Sequence, residues 1–161
     1  MKFQLILLLF QGFAIRGDHQ LQGFDRSVFY TVMASGKANE IDVQLSSLHW
    51  SSVPEKEAYE GALLMKKAGL AARPKDKLKL FRSGYTKLES SLAKDSTNGE
   101  YHFLRLTIQE HAPRIVNYRK DLEQDSQDIY RSFKSLSPVV QKAIRDYSKK
   151  SKILHLKDLN E

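Results

Sequence analysis

Apolar residues recur at helical spacing along most of the chain, and this periodicity limits the fold more than any other feature. The clearest series has intervals of three and four residues, which place its members on one face of a helix: Leu78, Phe81, Tyr85, Leu88 and Leu92. No segment alternates apolar and polar residues as a half-buried strand does. We therefore predict an all-α protein of six to eight helices, whose short connections favour antiparallel hairpins.

The length and the first residues predict the domain organisation. A chain of 161 residues suits one domain. Its start, MKFQLILLLFQGFA, has one early lysine, an apolar run too short to span a bilayer, and then the small residues Gly12 and Ala14. This pattern predicts a signal peptide and a periplasmic or secreted product; a buried N-terminal element is the alternative. The predicted parts are a signal peptide (1–14), a flexible lead-in (15–23), a single helical domain (24–148) and a basic C-terminal tail (149–161).

The segment from 101 to 122 is predicted to be helical, with an interruption at Pro113. Tyr101, Leu104 and Ile108 share one face and are expected to pack inward. The same pattern resumes beyond the proline, which either kinks the helix or begins another, at Ile115, Tyr118 and Leu122.

The stretch GYTKLESSLAKDSTNGEYHFLRL resembles a tetratricopeptide repeat, from the second helix of one repeat into the first helix of the next. Gly84 matches the small residue early in the second helix, where it is expected to let two helices approach closely, and Leu88 matches the apolar residue four positions later. Asp95 and Asn98 match the turn, where their side chains are expected to bind free backbone groups. Ser96 stands in place of the usual proline, and no regular 34-residue period runs through the chain.

The resemblance covers about residues 79–110 and leaves two architectures open: repeat-like hairpins or an irregular helical bundle. The chain as a whole is also similar to small secreted helical proteins of the Bacteroidetes. In a repeat-like fold, the helix after the turn would line a groove. His102, Arg105 and Gln109 are then expected to be its exposed contacts, and alanine at both Arg105 and Gln109 should weaken binding without unfolding the protein.

Few residues suggest catalysis or metal binding. The chain has no cysteine, which excludes disulfides and thiol chemistry. The five histidines form no metal-binding motif and are expected to be exposed or capping: His19, His49, His102, His111 and His155. The acidic stretch 121–128 begins like a calcium loop, but Ser126 replaces the required glycine and Ser132 the bidentate glutamate, so we expect a solvated helix face or an inter-helix loop. We predict no cofactor and no enzymatic activity.

The formal net charge of +7 favours acidic partners. Cations cluster near the C-terminus, and those expected to bind such a partner are Arg145, Lys149, Lys150 and Lys152. A helix that ends with cations near its negative dipole end, followed by a solvated tail, explains the same cluster without a ligand.

Our prediction is a secreted or periplasmic helical protein that binds another protein or a peptide. The alternative is a basic module that binds acidic polysaccharide or an anionic membrane surface through residues 142–157. A hydrolase with an unrecognised site is a third hypothesis, and no specific binding of nucleic acid is expected.

Overall fold

The computed structural model describes residues 23–155 and residue 157, and the fold in this part of the chain is entirely helical. Its α-helices are α1 (Arg26–Ser35), α2 (Ala38–His49), α3 (Lys56–Leu70), α4 (Pro74–Lys94), α5 (Gly99–Gln109), α6 (Leu122–Ser132) and α7 (Pro138–Ser148). Seven α-helices without a strand in these residues confirm the predicted fold class. None of the described helices is long and apolar enough to cross a bilayer. The predicted signal peptide, and the lead-in up to residue 22, lie outside the described residues.

Helices α3 and α4 form a close antiparallel hairpin around two glycines. A Cβ atom built on Gly84 would lie 2.5 Å from the carbonyl oxygen of Gly61, and one built on Gly61 would lie 2.8 Å from the backbone nitrogen of Leu88. Only glycine permits this separation of the two backbones. The close approach predicted for Gly84 is confirmed, although the resemblance to the repeat family stays a prediction.

The turn between α4 and α5 is held by the two residues predicted for it. Asn98 is the N-cap of α5, and its side chain accepts hydrogen bonds from the backbone N–H groups of Glu100 and Tyr101. The Asp95 carboxylate accepts hydrogen bonds from the backbone and hydroxyl of Thr97 and from the Asn98 amide. Helix α5 therefore begins at a well-defined point.

Helix α5 lies between two apolar cores. Tyr101, Leu104 and Ile108 belong to the larger core, which α1 to α4 also build, and their predicted inward orientation is confirmed. Phe103 and Leu106 belong to a second core, formed with α6, α7 and the segment that follows α7. Since both cores and several polar groups enclose it, α5 has hardly any exposed position.

The helix predicted to continue beyond Pro113 is absent. Only a single 3-10 turn, Arg114–Val116, follows the proline, and Asn117 then takes a left-handed conformation with φ of 47°. Ile115, which continues the apolar pattern of the sequence, is 93% exposed, whereas Tyr118 is buried against the larger core. Pro113 ends the helical stretch because it lacks the N–H that an α-helix needs.

The C-terminal tail packs onto the domain at least as far as Leu154. This side chain is fully buried in the second core. The Glu110 carboxylate accepts hydrogen bonds from the Ser151 hydroxyl and the Lys152 backbone N–H, at 2.8 and 2.6 Å. The first part of the predicted tail is therefore a structural element of the domain.

Candidate functional site

The three residues of α5 predicted as exposed contacts do not form a binding surface. Only 5% of the surface of His102 is exposed to solvent, and Gln109 is completely buried. The Arg105 side chain is 12% exposed. The expectation of exposed contacts at these positions is wrong, because α6 and the residue before it, Asp121, cover this face of α5 and bind side chains on it.

Asp125 of α6 is the centre of the polar cluster on this face. It is fully buried, and its Oδ1 atom lies 2.7 Å from Nδ1 of His102 and 2.6 Å from Nη2 of Arg105. Arg105 Nε donates a second hydrogen bond to Oδ2 at 2.9 Å, which makes the pair bidentate. The expectation that the acidic stretch is solvated is therefore wrong for Asp125.

The surroundings of His102 favour its imidazolium form. Its Nε2 atom lies 2.9 Å from the carbonyl oxygen of Ser96, so both ring nitrogens face groups that only accept hydrogen bonds. Burial alone would lower the pKa of His102, but the hydrogen bonds to Asp125 and Ser96, and the negative charges nearby, raise it above its ordinary value. Both ring nitrogens are hydrogen-bonded within the protein, so His102 joins α5 to α6 and to the turn before α5. The expected exposed or capping role of His102 is wrong.

The same cluster connects α4 and the segment after α5. Arg105 Nη1 donates to Glu89 at 3.1 Å, and the Tyr118 hydroxyl donates to the other oxygen of Glu89 at 2.6 Å. Gln109 donates to Asp121 at 3.2 Å. These bonds give each charged group near Arg105 a partner, as the low dielectric constant of a protein interior requires.

A second buried carboxylate lies at the start of α5. The hydroxyls of Tyr30 and Tyr59 both donate to Oε1 of Glu100 at 2.7 Å, and Arg26 lies 3.7 Å from the same atom. Burial raises the pKa of Glu100, although the two tyrosine hydrogen bonds and the Arg26 charge oppose this effect. These contacts tie α1 and α3 to α5.

The opposite face of α5 borders a cavity of about 530 Å³ between α1, α5 and α7. At 100° per residue, the α5 positions that line this cavity point away from His102, Arg105 and Gln109. The α5 lining residues are Phe103, Leu104, Thr107 and Ile108, and His111 lines the cavity just beyond the end of the helix. Helix α5 thus borders a groove, but with the face that the sequence pattern assigned to the interior.

The cavity has an apolar floor and a rim rich in cations. Met33, Leu104 and Ile108 are buried in its floor, and Tyr30, Phe103 and Tyr147 add aromatic surface. Lys66, Lys142 and Lys150 line it together with one carboxylate, Asp146. This carboxylate already accepts hydrogen bonds from Lys142 and from Lys149, which lower its pKa to about 2.

The four C-terminal cations predicted to bind an acidic partner are exposed, but they do not form one site. Lys150 alone among them lines the cavity. Arg145 lies over the ring of Phe133, with 4.8 Å from its Cζ atom to the ring centroid, and Lys149 is paired with Asp146. Lys152 uses its backbone N–H to bind Glu110.

The sequence pattern does not reveal the cavity, because α1, α5 and α7, which are distant in the sequence, form it together with Lys66 of α3. The only local signal of the cavity is the four-residue spacing of Phe103, Thr107 and His111. This spacing marks one edge of the apolar face of α5 and continues just beyond the helix. The arrangement of α1 and α7 on either side cannot be read from periodicity.

Within the described residues, no group of three or more histidine, aspartate or glutamate side chains is arranged to hold a metal ion. Comparison of the chain with family models, with curated proteins and with solved structures finds no match.

Proposed function

We propose that this protein is a non-enzymatic binding protein whose groove between α1, α5 and α7 receives a short apolar segment of another protein or a peptide. The cavity of about 530 Å³ is the observation that carries the proposal. Its volume lies within the range of natural ligand sites, which are concave, mostly apolar and furnished with a few polar groups. The groove is called the α1/α5/α7 groove below.

Two features of the groove support binding of a side chain or short segment. Its floor consists of residues that the cores hold in place, including Leu104 and Ile108, so the surface is formed before a ligand arrives. Its border includes exposed residues such as Thr31, Ala34 and Val139, which leave the floor accessible from solvent.

A pair of tryptophan variants tests the site. Ala34→Trp places a large side chain at the border of the groove, whereas Ala93→Trp places the same side chain on an exposed position of α4 that does not line it. The neutral fluorophore N-phenyl-1-naphthylamine serves as the first probe. Saturable binding is expected for the parent and for Ala93→Trp, and a loss of at least about tenfold in affinity for Ala34→Trp.

Random peptides displayed on phage and selected on the parent provide the second probe. We expect the enriched peptides to displace the fluorophore and to lose affinity for Ala34→Trp but not for Ala93→Trp. Peptides that bind all three proteins equally would place binding elsewhere and overturn the proposal. The absence of both fluorophore binding and peptide enrichment would overturn it as well.

The proposal includes export from the cytoplasm, which the sequence pattern of residues 1–14 supports. Mass spectrometry of the protein recovered from its native cells is expected to find a chain that begins after Ala14. Recovery of the uncleaved chain from the cytosol would contradict export.

A second candidate function rests on the exposure of Arg145, Lys149, Lys150 and Lys152. It is binding of acidic polysaccharide or an anionic membrane surface through residues 142–157. Such binding should weaken steeply as the salt concentration rises, because condensed counterions are released. Retention on heparin and on phosphatidylserine vesicles at low and high salt tests it, and retention independent of salt would exclude it.

A further inference from the structure

We propose that the α1/α5/α7 groove selects an acidic peptide: an apolar segment that carries an aspartate or glutamate side chain, whose carboxylate is bound by Lys66 and Lys150. This inference rests on the proposed function and names the chemistry of its ligand. It depends on the position, partners and surroundings of the two lysines.

Lys66 is a cation held beside an apolar cavity without a counterion. It is partly buried, and within the described residues it has no carboxylate partner. Burial lowers the pKa of Lys66 because its ammonium group loses hydration. A ligand carboxylate would restore the interaction that this desolvated ammonium group lacks, so an anion is the complementary ligand.

The Lys66 side chain lies beside the C-terminal end of α1. It passes over Gly36, the left-handed residue that ends α1, so closely that a Cβ atom on Gly36 would lie 3.1 Å from Lys66 Cε. The C-terminal end of a helix carries a partial negative charge, which favours an ammonium group there. The ammonium group of Lys66 thus lies beside the end of α1, where it also borders the groove.

Lys150 adds a second unpaired cation at the end of α7. Among the described residues it has no carboxylate partner, since Asp146 is bound by Lys142 and Lys149. Among the residues that the structure describes, three lysines thus line the groove against one carboxylate, which Lys142 and Lys149 already neutralise. The electrostatic potential of the rim therefore favours an anion, while the floor favours apolar side chains.

A peptide array tests the selection. The probes are pentapeptides of leucine and phenylalanine, blocked at both ends, with one glutamate, glutamine or lysine placed at each position in turn. They are compared on the parent, on the double variant Lys66→Met, Lys150→Met, and on Lys77→Met, a control in which an exposed lysine of α4 is replaced. Affinity for N-phenyl-1-naphthylamine reports whether the groove of each variant is intact.

On the parent and on Lys77→Met, the best glutamate peptide should bind at least about tenfold more tightly than its glutamine counterpart. In the double variant this advantage should fall below about twofold, with the affinity of the glutamine form unchanged. Equal binding of the two forms to the parent, or a preference that survives in the double variant, overturns the acidic selection and leaves the peptide-binding function standing. If no peptide of any charge binds, the proposed function fails. If palmitate then displaces the fluorophore although no peptide does, the two lysines bind a lipid carboxylate, and the peptide proposal is overturned.

Discussion

His102 and Asp125 form a buried hydrogen bond of 2.7 Å that joins α5 to α6. Asp125 is the shared acceptor of His102 and Arg105, so it neutralises two cations that have little access to water. Removal of one member of a buried ionic cluster is costly, because the remaining charges keep their desolvation penalty and lose their partner.

Asp125→Asn is therefore expected to lower the free energy of unfolding by about 3 kcal/mol. Glu123→Gln, on an exposed position of the same helix, is the matched control and should change it by less than about 0.5 kcal/mol. Urea denaturation of the three proteins at neutral pH measures both differences. Equal stability of Asp125→Asn and the parent would show that the cluster does not contribute.

The raised pKa of His102 predicts a pH dependence of stability. In the folded protein this pKa lies above 6.5, the ordinary value that applies in the unfolded chain. The folded state therefore binds the proton more tightly, so the stabilisation is complete below pH 6.5 and is lost as the pH rises through the folded pKa.

Urea midpoints of the parent should accordingly decrease as the pH rises above about 6.5. His102→Gln should lose most of this slope, whereas His49→Gln, at an exposed position, should retain it. An identical slope for the parent and His102→Gln would contradict the assigned imidazolium.

The close contact between Gly61 and Gly84 predicts that alanine lowers the stability of the protein at these two positions but raises it at Gly69, which has no such contact. Gly61→Ala and Gly84→Ala should each destabilise the protein by about 1–3 kcal/mol, because the new methyl group meets backbone atoms that cannot move aside. Gly69→Ala, also in α3, meets nothing within 4 Å and should stabilise the protein by up to about 1 kcal/mol. Thermal melts of the three variants check the signs, and stabilisation by Gly84→Ala would refute the close approach.

The buried side chain of Leu154 predicts that the tail contributes to stability. Leu154→Ala should cost about 2–5 kcal/mol, as expected for a cavity in a packed core. Ile115→Ala removes an aliphatic side chain that is 93% exposed and should change stability by less than about 0.5 kcal/mol. Chemical denaturation of both variants gives the comparison, and equal effects would mean that residues 149–155 do not belong to the domain.

The sequence predicted the parts of the fold that depend on local physics. Helical periodicity and the turn chemistry of Asp95 and Asn98 act over a few residues, and both are confirmed. The orientation of Tyr101, Leu104 and Ile108 also followed from their apolar character.

The candidate site could not be predicted in the same way. Polar residues are normally assigned to the solvent face of a helix, but Asp125 lies 23 residues from His102 and 20 from Arg105, and this distant partner makes their burial possible. Arg105→Ala together with Gln109→Ala is consequently expected to destabilise the fold, contrary to the expectation from the sequence. The groove likewise depends on how α1 and α7 pack beside α5, which no local pattern encodes.

The enclosure of α5 by two cores, an ionic cluster and a groove has a consequence for how the sequence can change during evolution. Nearly every position of this helix is committed to a neighbour, whereas α4 presents many side chains to water. Homologous sequences are therefore expected to vary most along the outer face of α4 and least within residues 99–109. Substitutions at His102 or Arg105 should occur together with changes at Asp125, because the three charges are stable only as a set.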